Sequence, residues 1–286
     1  MSATDPTTVA ALATEPPPLS PARLALHRAR RHPGFLIGGF IVLAFVLVAI
    51  FAPWIAPSDP YAQDIADQFA PPLWQAGGSW AHPIGTDSLG RDVLSRVIYG
   101  ARISLTVGFL AAGLAAIIGT TIGVIGGYFG GKVDSVVMYV ITTKLALPGL
   151  VVALSLISIF KASVPVLIGA IAILFWDRYA VVTRAAAMQL RGSEFVAAAR
   201  AIGSSHFRII VVELLPNLMN QVVVVLTLET AVAILVEAAL SFLGLGIQPP
   251  TPSWGSMVSE GRADMFFQPH LIAAPGLAIF VLVIAI

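Results

Sequence analysis

The sequence predicts an all-α, polytopic membrane protein, on three observations. The 286-residue chain is 57% hydrophobic and only 11% charged, against about 25% charged residues in soluble domains. Its mean hydropathy is +0.90. Its apolar residues fall in six long runs, each of the order needed to cross about 30 Å of hydrocarbon, at 35–51, 103–128, 133–160, 164–182, 218–243 and 271–286. Lipid offers backbone groups no hydrogen bonds, so such runs must be helices.

Taken in order, residues 1–32 form a tail rich in Ala, Thr and Pro that ends in the basic cluster Arg28, Arg30 and Arg31. This composition predicts disorder. The apolar run comes after the basic cluster without a small-residue cleavage site, which argues against a signal peptide. Residues 33–286 make up the membrane domain. The last run, at 16 residues, is about 24 Å long at 1.5 Å per residue, and the chain is expected to continue past it. Arg23, Arg28, Arg30 and Arg31 precede the first span, Lys132 separates the second and third, and Arg184, Arg191, Arg200 and Arg208 separate the fourth and fifth. The positive-inside rule places these segments, and the N-terminus, in the cytoplasm. Segments 52–100 and 244–270 then lie outside and are long enough to fold over the outer mouth. Asp92, Arg96 and Tyr99 share helical spacing, predicting an amphipathic helix over 87–102 that leads into span two.

Residues 194–217 stand out as a polar, basic island with helix formers at 195–202, a break at Gly203, Ser204 and Ser205, a second helical start near His206, and a Leu215-Pro216 stop. A plain connection needs only a few residues, so a loop this organised predicts a docking surface for another protein. The charge of +1 and the absence of a basic stripe give no sign of nucleic acid binding. No cysteine is present, five histidines are scattered, and no metal site or cofactor is expected. The chain lacks GxxxxGK[ST], so it cannot hydrolyse ATP itself. A stand-alone secondary transporter ordinarily has more spans and inverted repeats, and a membrane enzyme would need paired catalytic groups that the spans lack.

Four stretches carry a family resemblance: HPIGTDSLGRDVLSRVIYGARISL (82–105), GYFGGKVDSVVM (127–138), the 194–217 island, and EAALSFLGLGIQPPTPSWGSM (237–257). Together they resemble the C-type permease subunit of dipeptide, oligopeptide and nickel ATP-binding-cassette (ABC) importers, over residues 33–286. The resemblance implies a type I importer permease of six spans in the inner membrane. It implies a homologous partner permease, two cytoplasmic ATPase subunits and an extracytoplasmic substrate-binding protein. The implied cargo is dipeptides or short oligopeptides, with nickel, haem or glutathione as alternatives. Residues 190–217 resemble the family's ATPase-coupling loop, whose Glu-Ala-Ala, three residues, Gly pattern falls on Ala197, Ala198, Ala199 and Gly203. Ala197 replaces the usual acid, and Glu194, one turn earlier, also fits the family. Small alanines suit a helix seated in a cleft, Gly203 suits a sharp turn, and Arg200 and Arg208 suit acidic partners.

Charges at membrane depth are costly and face a path or a partner. Glu229 and Glu237, eight residues apart in the fifth span, are expected on one face. Either could meet a peptide amino group or make a structural hydrogen bond. Lys144 could meet a substrate carboxylate, pair with Glu229, or snorkel. Asp177 and Arg178 sit deep in the fourth span, where pairing with neighbours or with the partner permease is expected. Pro148 and the glycines of 119–131 are expected to kink and to allow close packing.

Overall fold

A computed structural model describes residues 32–286 of the chain; the predicted tail lies outside them, apart from His32. Helix α1 is Pro33–Ile50, α2 is Val93–Phe129, α3 is Gly131–Ala146 and α4 is Gly149–Phe160. Then follow α5, Val164–Leu190, α6, Glu194–Ala201, α7, His206–Phe242, α8, Trp254–Gly261, and α9, His270–Ala285. Four of these (α1, α2, α5 and α7) are each long and apolar enough to cross a membrane, and α3 with α4 make a fifth crossing if counted as one bent span. Helix α9 is apolar but shorter.

The centre of the bundle is the contact between α2 and α5. Gly119, Gly123 and Gly127 recur every four residues on α2, so they form one stripe. A Cβ at Gly119 would strike the Trp176 carbonyl, one at Gly123 the Thr183 hydroxyl and Ala180 carbonyl, and one at Gly127 the Arg184 carbonyl and Ala187. The two backbones therefore touch with nothing between them. In lipid, where hydrophobic burial does not drive helices together, such close approach supplies the dispersion energy of association. Ala111, Ala115, Ala172, Tyr179 and Ala180 extend this core and are fully buried.

The kink expected at Pro148 is present and sharp, whereas the stop expected at Leu215-Pro216 is corrected. The run 133–160 is not one straight span: α3 and α4 meet at 85°. Leu147, preceding Pro148, is extended at φ −89°, ψ 134°, because the proline ring disfavours helical backbone in the residue before it. Conversely, Leu215-Pro216 does not stop a helix. The chain is π-helical over Ile209–Leu214 and continues through Pro216 to Phe242. The wider π turn absorbs a missing backbone N–H that would otherwise interrupt the ladder. The amphipathic segment expected over 87–102 begins instead at Val93 and is the first part of α2. Asp92 caps it, accepting from the Ser95 N–H at 2.7 Å.

One end of the bundle carries a cap built from 56–92 and 244–269. Asp87 accepts from Arg91 Nε at 2.7 Å. Arg91 Nη2 and Arg96 Nη2 both donate to Glu260 Oε2, at 2.6 and 2.8 Å. Both arginines are buried, so one acid on α8 fastens the α2 end to the second cap segment. Trp254, wholly buried, donates to the Val97 carbonyl at 2.9 Å and meets Phe45 of α1 edge-on at 5.6 Å. Ser253 and Ser256 form a capping box ahead of it.

Two outcomes are expected. Gly123→Val should force α2 and α5 apart at a cost of about 1–3 kcal/mol, read as a lower melting temperature in detergent. Gly113→Val, where a Cβ has open space, should leave it unchanged. Glu260→Ala should loosen the cap by at most about 3–5 kcal/mol, because Arg91 and Arg96 are left to share Asp87, read as faster proteolysis within residues 56–92.

Candidate functional site

The end opposite the cap holds the basic loop. Helix α6 is short, and its position comes from an apolar anchor. Val196, Ala199, Ile209, Leu214 and Leu218 pack with Val124 and Tyr128 of α2 and Ala187 of α5. Its C-terminus is a Schellman turn: the Ser204 N–H reaches the Ala199 carbonyl and the Gly203 N–H the Arg200 carbonyl, both at 3.0 Å. Gly203 sits at φ +81°, a region L-residues avoid. Ser205 then caps the start of α7 by accepting from Arg208 N at 3.3 Å. The predicted helix, turn and helix start are all present.

Tyr128 fixes the turn from beneath. Its hydroxyl lies 2.8 Å from His206 Nδ1, and the Arg200 guanidinium lies 5.4 Å from its ring centroid. Arg184 grips Asp134 through both carboxylate oxygens, with Nη2 to Oδ2 at 2.6 Å. Arg191 Nη1 donates to the Gly127 carbonyl at 3.3 Å. The loops after α2 and after α5 therefore share one end of the molecule.

Glu194, Ala197, Ala198, Arg200, Gly203 and Arg208 are exposed. Ala199 is not: it faces the chain's own core, so of the three alanines only Ala197 and Ala198 are presented outward. Among the described residues, Glu194, Arg200 and Arg208 form no ion pair. Two residues that sequence reasoning passed over stand beside them. Ile202 is 82% and Phe207 77% exposed, flanking the glycine turn. The available signal was that large apolar residues occupy a turn where polar ones are usual.

Among the described residues, Lys144, Asp177, Arg178 and Glu229 form two ion pairs at membrane depth, and not as simple spacing suggested, while Glu237 is held by serines. Lys144 bonds to Asp177 and to the Leu174 carbonyl, so the Lys144–Glu229 pair does not form. Glu229 is held by Arg178, Nη1 to Oε1 at 2.7 Å, while the guanidinium lies 5.0 Å from the Phe175 ring centroid. Glu237 is fully buried, accepting from Ser241 at 2.8 Å and Ser104 at 3.1 Å. Eight residues span 800° at 100° each, leaving the two acids 80° apart. Glu229 thus meets α5, whereas Glu237 meets α2. Among the described residues no cluster of His, Cys, Asp and Glu is arranged to hold a metal.

Known proteins resemble this chain along nearly all of its described length. Residues 119–286 match the family model of the binding-protein-dependent transport system inner membrane component, and residues 20–72 match the N-terminal transmembrane domain of oligopeptide transport permease C. The dipeptide transport system permease protein DppC of Haemophilus influenzae is 39% identical over 256 residues, 90% of this chain and 87% of that one. The di/tripeptide transport system permease protein DppC of Pseudomonas aeruginosa is 39% identical over 253 residues, covering 88% and 84%. The glutathione transport system permease protein GsiD of Escherichia coli is 38% identical over 258 residues, covering 90% and 84%. A solved structure of the MetNI methionine ABC transporter contains a chain that superposes with a TM-score of 0.56 at 14% identity, over 66% of this chain and 89% of that one. The chain therefore belongs to the family of binding-protein-dependent transport system inner membrane components.

Proposed function

We propose that this chain is one of two homologous permease subunits of an ATP-driven inner-membrane importer for dipeptides or short oligopeptides. On this reading two ATP-binding-cassette subunits supply the hydrolysis from the cytoplasm, and an extracytoplasmic binding protein delivers the substrate. The observation that carries it is the exposed face of α6 and its glycine turn. Ile202 and Phe207 project there beside Glu194, Arg200 and Arg208, on a base fixed to α2, α5 and α7. An apolar pair ringed by unpaired charges is the composition of a protein-docking patch. The coupling role of residues 190–217 rests on this patch. Ala197 and Ala198 permit close approach, and Gly203 holds the turn.

Six crossings follow if the bent α3–α4 pair counts as one and α9 as the last. The Lys and Arg bias puts the α6 end, and with it the N-terminus, in the cytoplasm. The cap then faces the binding protein. Glutathione is the second substrate reading, supported by the likeness to a permease whose name carries it. Of the three charges expected at the path, Glu237 is held inside the chain by serines and supports packing. Glu229 and Lys144 belong to ion pairs that reach toward a surface, and their connection to the path runs through those pairs.

Purification of the chain from cells that express it natively tests the assignment: two ATPase subunits should co-purify. Gly203→Val, strained at its positive φ by about 1–2 kcal/mol, and Phe207→Asp should each reduce peptide uptake at least tenfold while the permease pair still assembles. Normal uptake with either variant would remove the coupling role. In this cysteine-free chain, a cysteine at Ser204 should label only from the cytoplasm and one at exposed Ser79 only from outside. Labelling of Ser79 from the cytoplasm would invert the topology.

A further inference from the structure

Arg178 lies 14 residues from the start of α5 and 12 from its end, so about 20 Å of helix separates it from either terminus. Its side chain is 51% exposed on the isolated chain, whereas that of its partner Glu229 is 6% exposed. The second pair repeats the arrangement: Lys144 is 22% exposed and Asp177 3%. Both pairs therefore place the acid inside and the cation outside. The two cations also lie within one turn of α5, because Lys144 binds Asp177 and the Leu174 carbonyl while Arg178 follows directly. Each pair is neutral overall, but its cation is the more exposed member, so the accessible side of this part of α5 is lined by cations.

A guanidinium facing hydrocarbon at that depth costs at least about 2.5–3.5 kcal/mol, so this spot must meet water or protein. Resting on the permease reading above, we propose that Arg178, with Lys144 behind it, is the carboxylate-recognising group of the translocation path. Glu229 and Asp177 are positioning residues that hold the two cations. The solutes it fits carry a free carboxylate, as the C-terminus of a short peptide does. Arg178 gives one bond to Glu229 and lies over Phe175, which fixes its plane and leaves other donors of the fork available for a carboxylate. The built-in acid also weakens the attraction, and a path group must release what it binds. This reverses the simpler expectation that Glu229 itself draws the peptide amino group, since Glu229 is buried and Arg178 is the exposed member of the pair.

The test reads local charge and needs no substrate. Val181, 44% exposed and three residues beyond Arg178, is replaced by Cys in the otherwise cysteine-free chain, within the assembled complex with its partner permease and ATPases. Its reaction rates are measured with anionic methanethiosulfonate ethylsulfonate and cationic methanethiosulfonate ethyltrimethylammonium. Both reagents should react, and the anionic-to-cationic rate ratio should be about tenfold higher than in Val181→Cys/Arg178→Gln. Should that variant fail to assemble, Arg178→Gln with Glu229→Gln removes both charges and should also lower the ratio. Glu229→Gln alone should raise it, because the acid's charge is lost while the cation stays. No reaction in a complex that still hydrolyses ATP would mean that lipid or the partner permease seals this face, and would overturn the proposal. An unchanged ratio would do the same. A complex that shows the ratio yet transports no peptide would overturn the peptide reading and leave the cationic wall standing.

Discussion

The direct backbone contact between α2 and α5 sets the positions of everything else. Hydrocarbon gives helices no reason to associate through apolar bulk alone, so their register has to come from shape. The stripe Gly119, Gly123 and Gly127 supplies that shape, since any side chain there would meet a carbonyl or a side chain of α5. One turn of slip along the stripe would still bring small residues together, yet it would misplace two further contacts. At one end Tyr128, next to Gly127, would leave its place beneath His206 and Arg200. At mid-depth α5 would no longer present Asp177 and Arg178 to Lys144 and Glu229. The glycines provide proximity, and the polar contacts on either side select the register.

The two ends of the molecule are stabilised by opposite means, suited to what each does. The cap relies on buried charge: two arginines converge on Glu260, with Asp87 between them. Such a network tolerates little displacement, because a partner withdrawn leaves an unpaired ion in a dry place. The loop end is anchored by apolar side chains under α6 and leaves Glu194, Arg200 and Arg208 to solvent. Exposed charges contribute little to stability, so these remain available for a partner. A rigid lid and an open patch follow from which groups are buried.

Much of this was legible in the sequence, and the unreadable parts share a physical cause. The helical class, the apolar runs, the helix–turn–helix shape of 194–217 and the close-packing glycines all depend on local composition and period. The failures occur where distant segments decide. Pro148 kinks its run as expected, but Pro216, expected to stop a helix, does not, although both are prolines in apolar surroundings. The difference is the π turn of Ile209–Leu214, which widens the helix before Pro216, while Leu147 is forced out of helical backbone. Ala197, Ala198 and Ala199 look alike in sequence, and only packing on Tyr128 and Ile209 turns the third inward. Lys144 finds Asp177 and Arg178 finds Glu229 across separations of 33 and 51 residues. No spacing rule reaches that far. Glu229 and Glu237 seemed to share a face because eight residues approximate two turns, but the 80° remainder was enough to send them to different neighbours.

One element joins the docking patch to the charged wall. Helix α7 begins at His206, inside the turn that presents Phe207, and runs without a break to Phe242. Glu229 lies 23 residues along it, about 35 Å at 1.5 Å per residue. A side chain seated near the start of α7 and the acid that holds Arg178 therefore belong to the same rod. The rod is uniform except over Ile209–Leu214, where the backbone hydrogen bonds span five residues instead of four. Such a stretch can be converted to ordinary helix by a small rotation of the residues beyond it. On the function proposed above, the exposed turn and the mid-membrane ion pair are thus joined by a single helix, with its irregular segment Ile209–Leu214 lying between them.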